Sequence, residues 1–180
     1  MKIIDNFLPN YQFTQIKSFL LSDNFPWSYG NGILGDDVPP GFFQFYRRFF
    51  DDGRLAKDDE VPLLEPCIRG LVGEIEPSVL HSIFGSGYGK ILSIKANLNP
   101  KTVFHRQLGY HTDFKDPSPR FKTSVYYINT NNGWTELKTG EKVKSVENRM
   151  IIFDSDIEHQ GVTCTDQNRR VIVNFNYESN

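Results

Sequence analysis

His111 and Asp113 stand one residue apart in the stretch Gly109-Tyr110-His111-Thr112-Asp113-Phe114. In an extended strand residues i and i+2 point to the same side, so an imidazole and a carboxylate converge there on one point. His159, 48 residues downstream and just past the apolar run Met150 to Phe153, is the candidate third ligand. Two histidines and one carboxylate on one side of a metal leave half of an octahedron open, the arrangement suited to a non-haem Fe(II) centre. Arg169 and Arg170 follow at the head of a second apolar run, Val171-Ile172-Val173. A planar guanidinium held near an open metal can grip a carboxylate with two parallel hydrogen bonds. Spacing alone leaves both arginines open. Strand alternation groups Arg170 with Ile172, Asn174 and Asn176, and Arg169 with the continuous apolar set Val171, Val173, Phe175 and Tyr177. Burial of the apolar set outside a barrel turns Arg170 inward.

The elements that must carry these residues follow from periodicity. Lys2 to Phe7 reads as a short strand ended by Pro9, and Phe13, Ile16 and Leu20 recur at helical spacing from Asn10 to about Leu21. Phe25 to Tyr29 reads as a strand, Gly30 to Pro40 as a loop, and the aromatic-dense Phe42 to Phe50 as a core-facing outer strand or a substrate-facing wall. Leu63, Leu64, Cys67, Ile68, Leu71 and Val72 predict a second helix over about Val61 to Gly73. From Lys90 the pattern alternates: Leu92, Ile94, Ala96 and Leu98 on one face, Ile91, Ser93, Lys95 and Asn97 on the other, as in the wall of a ligand-holding barrel. Asn99 to Leu108 reads as a flap containing a loop histidine, His105. Thr123 to Ile128, Trp134 to Lys138, Met150 to Phe153 and Val171 to Tyr177 complete the strands, the last two being the final ones. Short strands with polar turns after N-terminal helices predict a mostly β protein, a double-stranded β-helix or jelly-roll barrel, in a single domain 1–180 with residues 1–89 as support and 90–178 as the core. Thr123, Val125, Tyr127 and Asn129 share a face. If that face is internal, Tyr127 presents its hydroxyl to the cavity, and Thr135 lines the same pocket.

With these residues in view, the chain resembles the 2-oxoglutarate/Fe(II) dioxygenases, and among them the compact prolyl-4-hydroxylase-like group, most clearly from about Ile91 to Tyr177. Tyr126-Tyr127-Ile128-Asn129 is similar to the group's Tyr-Leu-Asn strand, Asn132-Gly133-Trp134-Thr135 to its Gly-Gly-x-Thr turn, and Asn148 to Phe153 to its Gly-Arg-apolar-Phe strand. Asn132 stands where the first Gly is usual, and Leu137 where a Phe is. The resemblance implies His111, Asp113 and His159 as ligands of Fe(II), 2-oxoglutarate as cosubstrate with Arg170 on its distal carboxylate and Tyr127 donating to it, O2 as oxidant, and ascorbate as a stimulant. The implied reaction is oxidative decarboxylation of 2-oxoglutarate to succinate and CO2, coupled to hydroxylation of a C–H bond in a peptide, with peptidyl proline first, or in a small molecule.

Composition sets the outer limits. At 180 residues, 38% hydrophobic and 14% aromatic, the chain can bury a sizeable core. A net charge of −2 with no basic stripe gives no reason to expect nucleic acid as a partner. Cys67 and Cys164 form no metal or redox motif and read as free thiols. No apolar run suits a signal peptide or a membrane span, so a soluble, cytoplasmic protein is expected. Two rival readings use the same residues: a cupin-type metalloenzyme that takes no keto acid and has no need of Arg170 or Tyr127, and a non-catalytic β-sandwich binding module whose histidines are incidental.

Overall fold

Alternation along the last strand decides how the molecule is layered. Val171, Val173, Phe175 and Tyr177 are buried in one apolar core together with Ile94, Ala96 and Leu98, while Ile172 belongs to a second core with Val125, Tyr127 and Ile151. The sheet that carries them is therefore covered on both faces.

The structure, a computed structural model, describes residues 1–31, 43–51, 54, 55 and 91–178. Along the chain these form β1 (Lys2–Ile4), α1 (Asn10–Leu20), β2 (Ser28–Gly30), β3 (Gln44–Asp51), β4 (Arg54–Leu55), β5 (Ile91–Pro100), β6 (Phe121–Tyr127), β7 (Trp134–Leu137), β8 (Lys142–Lys144), β9 (Arg149–Asp154), β10 (His159–Val162) and β11 (Arg169–Glu178). The large sheet runs β1-β9-β6-β11-β5-β3-β2 with β4 on β3, and the small one runs β10-β7-β8. The central ladder is long: β11 pairs antiparallel with β5 from Arg169↔Pro100 onward and with β6 from Ile172↔Tyr127 to Glu178↔Phe121. Phe13, Ile16 and Leu20 of α1 pack on the outer face of the large sheet. Burying each such side chain contributes about 1.5–3 kcal/mol. Leu137 and Val143 of the small sheet close the second core from the other side.

One connection explains a family-like motif. Asn148, just before β9, has φ 58°, a left-handed conformation that glycine adopts freely and asparagine tolerates. Its carboxamide also accepts from Leu8 N (3.0 Å) and Tyr126 Oη (2.7 Å) and donates to Leu8 O (2.9 Å), tying the approach to α1 onto the sheet. Asparagine thus meets the backbone requirement of a glycine position and adds three hydrogen bonds.

Several boundaries differ from the periodicity. β1 stops at Ile4, and the predicted strand from Phe25 begins only at Ser28 because Phe25 N and Trp27 N are used in local turns to Ser22 O (3.2 Å) and Phe25 O (2.9 Å) and Pro26 has no N–H to give a ladder. Asn99 and Pro100 belong to β5. The stretch beyond them is tied down by Lys101 N→Asn168 O (2.9 Å), Thr102 N→Cys164 O (3.1 Å) and Arg106 N→Thr163 Oγ1 (2.9 Å). Met150–Phe153 and the last strand are not consecutive: β10 lies between them, a four-residue strand whose His-Gln-Gly-Val sequence carries no alternating apolar signal. β8, Lys-Val-Lys, alternates but at three residues is too short to register as a period. Of the aromatic segment, Phe49 is fully buried, whereas Phe43 and Phe45 form a surface cluster with Tyr29. Most of the predicted loop from Gly30 to Pro40, Phe42, Cys67 and the predicted helix over Val61 to Gly73 lie outside the described residues. Cys164 is free and buried. Among the described residues no helix is long and apolar enough to cross a membrane.

Candidate metal centre

The two histidines are joined by their backbones before their rings are considered. His111 N donates to His159 O (3.0 Å) and His159 N to His111 O (2.9 Å), an antiparallel bridge that attaches the His-x-Asp stretch to the edge of β10. Residues paired in this way place their side chains next to each other, and the ring centroids lie 4.6 Å apart. Asp113, two residues on, returns to the same side. Its Oδ1 is 3.6 Å from His111 Nε2 and its Oδ2 4.0 Å from His159 Nε2. One ligand atom from each of the three side chains lies within 4.8 Å of the others.

The hydrogen bonds suit a cation. His111 Nδ1 lies 3.1 Å from Gly109 O, which can only accept, so Nδ1 carries the proton and Nε2 keeps its lone pair. Gly109, at φ 94°, is what turns that carbonyl toward the ring. Asp113 Oδ2 is buried and has no hydrogen-bond partner among the described residues. Burial pushes the Asp113 carboxyl up, but the neighbouring His111 and His159, both cationic at the low pH where the carboxyl titrates, together with Lys95 outweigh it and hold it at about 2. Burial pushes His159 down to about 4 against the pull of Asp113, so at neutral pH its imidazole is uncharged. A buried carboxylate with an idle oxygen, facing imidazole nitrogens, is the donor set a divalent first-row metal requires, and these residues fit Fe(II).

Arg170 enters the same cavity from β11. Its side chain is 1% exposed. Nε donates to Ser145 Oγ (2.9 Å), Nη2 to Thr135 Oγ1 (3.0 Å), and the guanidinium lies 5.6 Å from the Tyr127 ring centre. Among the described residues no carboxylate pairs with it, and burial lowers its pKa. Two glycines make room: a Cβ on Gly133 would meet Arg170 Cδ at 2.9 Å and Val162 O at 2.7 Å, and one on Gly161 would meet Arg170 Nη1 at 3.4 Å. Arg169 points to the other side, where Nη2 donates to Leu21 O at the end of α1 (2.5 Å).

Tyr127 and Thr135 have different places. Tyr127 is fully buried behind Thr135, and its hydroxyl donates to Thr135 Oγ1 (2.8 Å). Thr135 Oγ1 accepts from both Tyr127 and Arg170, which uses its two lone pairs and leaves its own O–H to donate into the cavity it lines. Burial, against the Arg170 charge, raises the Tyr127 pKa, so the phenol keeps its proton. His105 stays apart from the cluster, with Nδ1 2.7 Å from Thr163 O and its ring against Trp134.

Strand alternation already turned most of the cavity wall inward, and only Asn99, read as part of the flap, was placed elsewhere. Lys95, Asn97 and Asn99 of β5 and Asn174 of β11 line it with His111, His159 and Arg170. Asn97 Oδ1, Asn99 Nδ2 and Asn174 Oδ1 are buried without partners among the described residues. The signal was present as the polar half of each alternating strand. Ser145, in a loop after β8, left no such signal.

No family model matches the chain, and no curated protein matches it in sequence. Its fold matches solved structures. A 2OG-Fe(II) oxygenase family oxidoreductase from Burkholderia pseudomallei superposes with a TM-score of 0.74 at 14% identity, covering 98% of this chain and 84% of that one. A prolyl-4-hydroxylase from Pseudomonas putida matches with a TM-score of 0.60 at 14% identity, over 99% of this chain and 92% of its own. A prolyl hydroxylase from Trichoplax adhaerens, solved with a peptide fragment of the hypoxia inducible factor oxygen degradation domain, gives 0.60 at 17% identity, over 99% and 83%. At such identities the likeness is one of fold: two antiparallel sheets in the jelly-roll arrangement of these oxygenases.

Proposed function

We propose that this protein is a 2-oxoglutarate-dependent Fe(II) oxygenase that hydroxylates a C–H bond. The observation that carries the reading is the presence, in one cavity, of the His111–Asp113–His159 cluster and of Arg170, a buried guanidinium with no carboxylate partner among the described residues. Burying an unpaired charge costs several kcal/mol. An anionic ligand offsets that cost, and a ligand with one end on the metal and a carboxylate at the other uses both features together.

His111, Asp113 and His159 would hold the ion, which when bound supplies O2 activation coupled to conversion of 2-oxoglutarate to succinate and CO2. Arg170 and the Thr135 hydroxyl grip the distal carboxylate with charge-assisted and neutral hydrogen bonds. Tyr127 acts through Thr135: its own hydroxyl fixes that oxygen and so aims the threonine proton. Leu108, Val125 and Ile172 give the cavity apolar walls that keep water from the ligand's methylenes. The substrate is proposed to be a peptide, with a prolyl residue as the first candidate, on the strength of the two prolyl hydroxylases of like fold; a small molecule is the other class the same centre serves.

Anaerobic titration with Fe(II), followed by 2-oxoglutarate, tests the reading. A visible charge-transfer band on addition of the keto acid is expected. Iron binding without the band points to a metalloenzyme that takes no keto acid, and no iron binding removes the catalytic reading altogether.

A further inference from the structure

The register of the central ladder sets Asn99 of β5 directly opposite Arg170 of β11. Residues paired across an antiparallel ladder share a face, with their Cβ atoms about 4.5–5.5 Å apart, and both side chains line the one cavity. Asn99 is 3% exposed, and its Nδ2 is buried without a hydrogen-bond partner among the described residues. Native folds rarely leave a buried side-chain amide idle, and one that lines a ligand cavity finds its acceptor in the ligand. Arg170 beside it is held by Ser145 Oγ (2.9 Å) and Thr135 Oγ1 (3.0 Å). Thr135 reaches the guanidinium from the small sheet, on β7, whereas Asn99 adjoins it from the neighbouring strand of the large sheet.

We propose that Asn99 is a third anchor for the distal carboxylate of 2-oxoglutarate, donating from Nδ2 beside Arg170 and Thr135. The proposal rests on the cosubstrate reading above. A carboxylate has two oxygens and about four lone-pair sites. The guanidinium takes those it faces as a fork, and the Thr135 hydroxyl and the Asn99 amide, coming from different strands, can each take one of the remainder. Of the two ends of the amide only the nitrogen can donate to a carboxylate, and Nδ2 is the end left idle. A neutral donor also suits this place better than a charged residue. An aspartate opposite Arg170 would occupy the guanidinium itself, and a lysine would add a second buried charge next to one that has no carboxylate partner among the described residues. The amide contributes a hydrogen bond and leaves the charge of Arg170 to the ligand.

The test separates this role from a structural one by truncating the ligand. Fe(II)-loaded protein is titrated anaerobically with 2-oxoglutarate and with 2-oxovalerate, which has the same chain length and lacks the distal carboxylate, and binding is read from the keto-acid charge-transfer band. Asn99→Ala is expected to weaken 2-oxoglutarate about tenfold, the loss of one hydrogen bond to a charged group, and 2-oxovalerate less than about twofold. Asn99→Asp should weaken 2-oxoglutarate more than Asn99→Ala does while sparing 2-oxovalerate, because its carboxylate pairs with Arg170 and repels that of the ligand. Thermal melts check that each variant is folded, with Asn99→Ser as the substitute should Asn99→Ala fail to fold. Unchanged 2-oxoglutarate affinity in Asn99→Ala overturns the proposal, as does an equal loss for both keto acids, which would make Asn99 a residue of the cavity's packing. Absence of the band in the unaltered protein, or 2-oxoglutarate affinity unaffected by Arg170→Met, brings down the cosubstrate reading instead.

Discussion

Replacing Arg170 by methionine should move two quantities in opposite directions: the metal-free protein becomes more stable while 2-oxoglutarate binding collapses. Arg170 is 1% exposed and makes hydrogen bonds to Ser145 Oγ at 2.9 Å and Thr135 Oγ1 at 3.0 Å. Two hydrogen bonds from a charged donor return about 3–6 kcal/mol. Removing the ion from water costs a comparable several kcal/mol, and the lowered pKa of the guanidinium indicates that burial is not fully compensated. Methionine relieves that cost and adds about 1.5–3 kcal/mol from a buried apolar chain. A net gain of about 1–3 kcal/mol follows, each kcal/mol worth roughly 2–4 °C in melting temperature for a domain of this size. In the ligand-bound protein the balance reverses. Losing a two-pronged, charge-assisted contact costs about 2–4 kcal/mol, or roughly thirtyfold or more in the constant for 2-oxoglutarate. Thermal melts in metal-free buffer and anaerobic keto-acid titrations measure the two effects. Arg169→Ala is the control, expected to change the constant less than about threefold because its guanidinium is engaged at the end of α1. An Arg170→Met protein that melts several degrees lower yet binds 2-oxoglutarate normally would show Arg170 to be a structural residue, and the reasoning would fail.

Three further outcomes are expected. His111→Ala or Asp113→Ala should abolish Fe(II) binding and keto-acid turnover with the circular dichroism spectrum retained, because both apolar cores form without these residues; turnover above about a tenth of the unaltered level, a difference of ~1.4 kcal/mol, would take the residue out of the ligand set. Asn148→Ala should destabilise by about 2–4 kcal/mol in denaturant melts, since it loses three buried hydrogen bonds and puts a Cβ-bearing residue less tolerant than asparagine at φ 58°, while Asn148→Gly, which relieves the backbone alone, should fall between the two. Acid should weaken the metal-free protein between pH 6.5 and 4: His159 keeps its imidazole neutral down to about 4 in the fold, and the unfolded chain takes up a proton near 6.5, so the unfolded state binds more protons across that window and up to about 3 kcal/mol is lost as pH falls. His159→Gln should flatten stability against pH there, and an unchanged slope in that variant would assign the acid loss to other groups.

What could be read along the chain is what depends on local period. The facing of Arg170 against Arg169 follows from alternation over nine residues of β11, because side chains two apart on a strand share a face whatever lies beyond it. His111 and Asp113 are legible as a pair for the same reason, and α1 from its apolar spacing. The resemblance to a family rested on these short patterns, and the fold agrees with it. Contacts between distant segments are another matter. That His159 bonds back to back with His111 is set by β10, four residues without an alternating signal, and it needs the small sheet to exist first. Tyr127 was readable as an inward tyrosine, yet only the approach of β7 makes Thr135 the acceptor of its hydroxyl. Lys95 and Asn97 looked like the polar side of one strand, and Asn99 like the start of a flap. They become a cavity floor because β5 pairs with β11 in the register that sets Asn99 beside Arg170 and Lys95 beside Asn174. A strand's own sequence decides which of its side chains point the same way, whereas register between strands is chosen by burying both apolar faces at once, a condition that no single segment contains.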